Sequence, residues 1–234
     1  MPLSKPNWKS LYRLQDEVLL LLKDKLSHFY LTGGTALSRY YLQHRYSEDL
    51  DFFCHDKVEF EKSVNAIARI LATSKLLDEQ LVQISETYAR FFVGPMRELK
   101  IDFVYEEIEP VGGAKIENGI KIDNPTNILT NKLCCIVGRD EPKDLFDIVS
   151  IARAYSFDWK DIFWAAKAKQ LLDETDVTIR LQTFPVELFK TVNWTVGTID
   201  LQRITENLKQ ITQDFVLGSS NSLGIAKPEL PRYD

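Results

Sequence analysis

The segment from Thr32 to Phe53, TGGTALSRYYLQHRYSEDLDFF, constrains this chain more than any other. It joins a glycine pair at the mouth of a helix-forming stretch to two aspartates one residue apart in a strand-forming one. Side chains alternate between the faces of a strand, so Asp49 and Asp51 point the same way while Leu50 and Phe52 turn to the core. Two co-directed carboxylates are half of a site for a hard cation. Mg²⁺ takes oxygen ligands in octahedral array, commonly one or two carboxylates with phosphate oxygens completing the shell. Gly33 and Gly34 supply the phosphate half. They follow the apolar run Phe29 to Leu31 and open the stretch Thr35 to Gln43, so strand, tight turn and helix are expected in that order. A glycine turn lets backbone amides approach a phosphate, and the free N–H groups at a helix start favour an anion. Thr35 is placed either to cap that helix or to bind a phosphate oxygen. Alone, a Gly-Gly pair reads as an ordinary turn; coupled to Asp-Leu-Asp it gains a chemical reading.

The remaining composition narrows the class. A chain of 234 residues with 44% hydrophobic content can build one large domain or two small ones. A formal charge of −5 argues against a broadly basic nucleic-acid coat and leaves room for a local basic patch. The longest aliphatic run, Val18 to Leu22, is far too short to span a bilayer, and no signal sequence opens the chain, so a soluble cytoplasmic protein is expected. Three cysteines, with Cys134 and Cys135 adjacent, fit neither a disulfide framework nor a zinc ribbon and read as buried thiols. His28, His44 and His55 show no ligand or triad spacing, so no histidine catalyst is expected.

Leu11, Leu14, Val18 and Leu21 recur at helical spacing and predict a helix over 8–26, and Val64, Ile67 and Leu71 another over 58–73. Strand signals follow at 81–85, 88–93 and 99–105, a meander with Gly94-Pro95 as its second turn. In the last strand Lys100, Asp102 and Val104 share the face opposite Ile101, Phe103 and Tyr105. An aspartate within an apolar strand is costly unless paired or metal-bound. Asp102 is therefore either a surface-facing edge residue or, beside Asp-Leu-Asp, a third metal carboxylate.

After a short strand at 119–122 the chain reads as helices only. Thr126 is the expected N-cap of the first, and its stripe Ile128, Leu129, Leu133 and Ile136 leaves Lys132 on a flank, as a solvated lysine or a phosphate ligand. Pro142 suits the first position of the next helix, where Asp144 and Asp147 line one flank; dipole complementarity explains Asp144 better than Asp147. Further helices are expected at 159–172, 185–192 and 198–217, the last with a seam of Leu201, Ile204, Leu208, Ile211 and Phe215. Residues 218–234, rich in Ser, Gly and Pro, read as a loose tail.

The GGTAL stretch, SEDLDFF, KIDFV and RDEPKDLFDI together resemble the AbiEii/AbiGii-type nucleotidyltransferases, a branch of the DNA polymerase beta-like superfamily, over roughly 29–154. The resemblance implies an α/β fold in which a small mixed, mostly antiparallel sheet carries covering helices over 1–123. A helical region at 124–217 completes the cleft, and the tail at 218–234 follows. It implies transfer of a nucleoside monophosphate from a nucleoside triphosphate to an acceptor hydroxyl, with Mg²⁺ or Mn²⁺ held by Asp49, Asp51 and Asp102. Gly33, Gly34 and Thr35 would bind terminal phosphates. Lys132 stands where the family carries a functional lysine, and Asp144 and Asp147 form the element that faces its nucleotide. Lys143 departs from the arginine expected before Asp-Leu-Phe-Asp. An RNA acceptor, transfer RNA among them, a cognate antitoxin and a toxin's role are implied in the same way. Two other readings of the residues stay open: a nucleotide-binding or signalling module with little transferase activity, and a metal-dependent phosphodiesterase, which the absence of His-Asp clusters disfavours.

Overall fold

The computed structural model describes residues 7–233, which divide into two units. The first comprises the described residues up to Ala36, Tyr46–Glu109 and Ala114–Asp123; the second comprises Leu37–Arg45, Pro110–Gly113 and the described residues from Asn124 on.

The first unit is built on a seven-stranded mixed sheet. Its strands are β1 (Tyr30–Thr32), β2 (Leu50–Cys54), β3 (Gln83–Ile84), β4 (Tyr88–Val93), β5 (Leu99–Tyr105), β6 (Lys115–Glu117) and β7 (Ile120–Ile122), ordered β3-β4-β5-β2-β1-β7-β6. Only β2–β5 and β1–β7 pair in parallel; the other pairs are antiparallel, so the expected mostly antiparallel sheet is present. In β2 the alternation turns Leu50, Phe52 and Cys54 into the core and leaves Asp51 and Phe53 half-buried. Phe52 stacks on Phe103, and Phe29 meets both Phe103 and Phe60. Two helices of this unit bury their apolar stripes: α1 (Trp8–Leu22) through Leu11, Leu14, Val18 and Leu22, and α3 (Lys57–Thr73) through Phe60, Val64, Ile67 and Leu71. The expected 8–26 helix ends at Leu22 and passes into a 3₁₀ turn, Lys23–Lys25.

Register decides what shares a face. Arg90 of β4 stands opposite Asp102, Asp102 beside Asp51, and Asp51 opposite Thr32. A polar row thus crosses four neighbouring strands of the sheet. The hairpin of β6 and β7, of which only the second strand was expected, turns at Asn118-Gly119 with φ of 51° and 79°. That dipeptide is a strong hairpin signal in any sequence.

Between β1 and β2 the chain forms α2 (Gly33–Leu37), which widens into a π-helical turn, Ser38–Leu42, and ends on Gln43 in the left-handed region at φ 51°. The second unit is helical: α4 (Pro125–Gly138), α5 (Pro142–Ala154), α6 (Trp159–Lys169), α7 (Glu174–Thr183) and α8 (Leu201–Leu217). Asn124, not Thr126, caps α4 by accepting from the Asn127 N–H. Pro125 lacks an N–H and suits the first helical position, which puts the cap at Asn124, two residues upstream of Thr126. Thr126 donates instead to the Pro231 carbonyl at 2.9 Å. Helix α7 was not expected, although Asp173 caps it and Val177 and Leu181 are buried four residues apart. The segment expected as a helix at 185–192 is a 3₁₀ helix, Val186–Thr191. Trp159 and Phe163 pack on Phe215 of α8, whose Ile204, Leu208 and Ile211 are also buried.

The expected loose tail is a correction. Residues 218–233 are pinned by backbone bonds between Ser156 and both Pro228 and Leu230, by Thr126 on Pro231, and by Asn221, whose amide reaches the Ala152 and Tyr155 carbonyls. Composition marked the absence of regular structure and said nothing of such backbone pairing. Among the described residues no helix is long and apolar enough to cross a membrane.

Candidate active site

Gly33 begins α2 at φ +65°, and a Cβ there would stand 3.1 Å from Asp51 Oδ2. Both facts call for glycine: the left-handed conformation is costly for other residues, and the space beside the carboxylate stays open. Thr35 is buried and donates its hydroxyl to the Asp49 carbonyl, so the start of α2 is fastened to the aspartate segment. Read from the sequence as a cap or phosphate ligand, Thr35 here secures the backbone of the first aspartate. Gly33→Ala is expected to destabilise the chain by about 1–2 kcal/mol through the left-handed backbone alone. Urea unfolding should show the midpoint falling at unchanged slope.

Asp49, Asp51 and Asp102 come to the same part of the sheet. Asp51 and Asp102 are register partners on β2 and β5, and Lys100 Nζ lies 3.0 Å from Asp49 Oδ2 and 3.4 Å from Asp102 Oδ2. Asp102 is almost fully buried and heavily engaged. Arg90 donates Nε to Oδ1 and Nη2 to Oδ2, each at 2.8 Å, and the Tyr88 hydroxyl donates to Oδ1 at 3.0 Å. Burial works to raise its pKa, yet the Arg90 hydrogen bonds, the Lys100 charge and Tyr88 together hold it below the usual carboxylate value. The Tyr88 phenol is pushed up to about 12, by burial first and then by the Asp102 carboxylate. For Lys100, burial favours the neutral amine, but Asp49, Asp102 and Asp51 outweigh it and raise the pKa.

Among the described residues no group of three or more His, Cys, Asp or Glu is placed to hold a metal ion. Asp49 and Asp51 fit a narrower role. Asp51 on β2 and Asp49 just before that strand, with the open side of Gly33 next to Asp51, suit a Mg²⁺ shell that phosphate oxygens complete.

A second charged centre lies in the helical unit. Lys132 Nζ donates to Asp144 Oδ1 at 2.6 Å and stands 2.9 Å from Asp147 Oδ2. Arg139 donates to Asp144 at 2.7 Å. Arg45 grips Asp147 bidentately at 2.6 and 2.8 Å, and His44 Nε2 lies 2.8 Å from the same carboxylate. The three residues expected here are therefore together, but Lys132 is buried between carboxylates instead of lying on a flank in solvent. Burial opposes charge at each position. The opposite charges win, lowering the Asp144 and Asp147 pKa values and raising that of Lys132. For His44 burial prevails over Asp147, and its pKa falls.

Arg45, Arg139 and Arg90 were not named from the sequence; His44 was named only as lacking ligand or triad spacing, and Lys100 only as sharing the face of Asp102. His44 and Arg45 precede the Ser-Glu-Asp-Leu-Asp run with Tyr46 between, and Lys100 is two residues from Asp102 on the same face. Those spacings were available signals. Arg90 had none, because only the β4–β5 register sets it opposite Asp102.

The family model described as nucleotidyl transferase AbiEii toxin, type IV toxin–antitoxin system, matches residues 19–216. The fold is similar to JHP933 from Helicobacter pylori, with TM-score 0.58 and 20% identity over 86% of this chain and 90% of that one. A putative nucleotidyltransferase from H. pylori aligns with TM-score 0.55 and 23% identity over 86% and 92%. MenT4, a nucleotidyltransferase toxin from Mycobacterium tuberculosis, aligns with TM-score 0.56 and 13% identity over 88% and 84%. At these identities the likeness establishes the fold alone. No curated protein matches the chain. With the family model spanning most of its length, the chain belongs to the AbiEii family of nucleotidyltransferase toxins and is a nucleotidyltransferase.

Proposed function

We propose that this chain moves a nucleoside monophosphate from a nucleoside triphosphate to an acceptor hydroxyl, with pyrophosphate leaving, and that the reaction depends on a divalent cation. The observation that carries this reading is the pairing of Asp49 and Asp51 with the start of α2, where Gly33 keeps the space beside the Asp51 carboxylate clear. A Mg²⁺ or Mn²⁺ ion held by these two residues would neutralise phosphate charge and polarise the phosphoryl group under attack. Backbone amides at Gly33, Gly34 and Thr35 would receive the terminal phosphates. Lys100, carried on β5 and raised in pKa by the surrounding carboxylates, keeps a full positive charge beside Asp49 at neutral pH. Lys132, Asp144 and Asp147 keep their expected part in nucleotide recognition as a proposal of its own, now with Arg45 and Arg139 fixing their charges.

Family membership supports a nucleotide substrate and a cognate antitoxin, and a toxin of this kind would act in the cytoplasm. RNA is the proposed acceptor class, transfer RNA included. The test is incubation with each α-labelled nucleoside triphosphate, Mg²⁺, total RNA and total protein. Label should enter RNA for at least one nucleotide and vanish with EDTA. Labelled protein instead of RNA would overturn the acceptor class. Chelator-insensitive labelling would overturn the metal requirement.

A further inference from the structure

A carboxylate offers about four acceptor positions, two on each oxygen. On Asp102 Oδ1 two are taken by Arg90 Nε at 2.8 Å and the Tyr88 hydroxyl at 3.0 Å; on Oδ2 Arg90 Nη2 takes one at 2.8 Å, and the Lys100 ammonium stands 3.4 Å away as an ion pair. The two Arg90 bonds form a bidentate, charge-assisted pair, which is among the stronger side-chain interactions and fixes orientation. A cation binding to Asp102 would have to break that pair. Lys100, meanwhile, reaches from Asp102 to Asp49. It spans the carboxylates that a second divalent cation would have to bridge. Lys100 and Arg90 also balance two of the three negative charges, leaving too little charge to hold two divalent ions.

We propose that Lys100 takes the place of a second metal ion. The site binds one divalent cation, on Asp49 and Asp51, and Asp102 is not a ligand but the anchor that holds Lys100 and Arg90 beside it. This inference rests on the metal-dependent reading above and departs from the three-carboxylate metal site expected from the sequence. Lys100 is then a positioning residue whose ammonium also competes with the ion for Asp49, a competition that a merely structural lysine would not show.

The experiment is a Mn²⁺ titration of the full chain, with free Mn²⁺ followed by electron paramagnetic resonance and folding checked by circular dichroism. The wild-type chain should bind one Mn²⁺. Asp49→Asn should lose it, whereas Asp102→Asn should keep it with affinity changed less than about threefold, since Asp102 accepts from Arg90 and does not touch the ion. Lys100→Met should bind Mn²⁺ roughly tenfold or more tightly, because a positive charge next to Asp49 has gone. If Asp102→Asn does not fold, the Lys100→Met result decides, and unchanged affinity there would overturn the proposal. Two Mn²⁺ ions per wild-type chain, falling to one in Asp102→Asn, would overturn it while leaving metal dependence intact. No Mn²⁺ bound at all would remove the metal-dependent reading together with this one.

Discussion

Asp51→Asn should lower the rate of nucleotidyl transfer by about a thousandfold or more while leaving the thermal midpoint unchanged or slightly raised. The metal's stabilisation of charge in the transition state is worth several kcal/mol, and each 1.4 kcal/mol or so is a factor of ten in rate. An amide keeps the shape of the carboxylate and loses the charge that makes it a cation ligand. Stability moves the other way, because Asp51 sits beside Asp102 in the β2–β5 register and Asp49 lies two residues upstream. Like charges this close disfavour one another, and removing one relieves the rest. Rates of label transfer and melting curves on the same preparation check both halves. A variant that lost activity only because it unfolded would give Asp51 a structural role.

Lys132→Met should destabilise the chain by about 3 kcal/mol, the lower end of what breaking a buried ion pair costs. Lys132 is buried within 3 Å of carboxylate oxygens on both Asp144 and Asp147, so its loss leaves negative charge without its nearest partner. The lower end applies because Arg139 still holds Asp144 and Arg45 still holds Asp147. For a chain of this size the midpoint should fall by roughly 6–12 °C. The sign of the pH dependence follows from the depressed pKa values of Asp144 and Asp147. Their contribution is complete above the unfolded carboxylate pKa of about 3.9 and is lost as pH falls through the lower folded values. The gap between wild type and Lys132→Met should therefore narrow in acid. A gap that stayed constant to low pH would mean that the lysine is not held by these carboxylates.

How far the sequence reached can be seen in these same residues. Gly33 was legible because a tight turn before a helix calls for glycine, and Asp51 because a strand has period two, although the strand begins at Leu50 and leaves Asp49 just outside it. The face of Asp102 was legible for the same reason. Its partners were not: Arg90 arrives by antiparallel pairing of β4 with β5, and no local pattern states which residue will stand opposite. The burial of Lys132, read as either a solvated lysine or a phosphate ligand, was not legible because the stripe of α4 shows which residues are apolar and not what covers the others. Its cover includes two carboxylates on α5, Asp144 held by Arg139 and Asp147 gripped by Arg45 from more than a hundred residues away. Thr126 and Asn124 are both good caps, and the neighbouring proline decided between them.

The most direct test of the central claim is a paired labelling experiment, in which the chain, Mg²⁺ and RNA are supplied with the accepted nucleoside triphosphate labelled once at the α-phosphate and once at the γ-phosphate. In-line displacement at the α-phosphorus leaves the α-label on the acceptor and releases the γ-label as pyrophosphate. Expected is α-label retained in RNA, γ-label recovered only in pyrophosphate, and both products lost in Asp49→Asn. Transfer of the γ-label to the acceptor, or release of inorganic phosphate without any acceptor product, would contradict nucleotidyl transfer by this site.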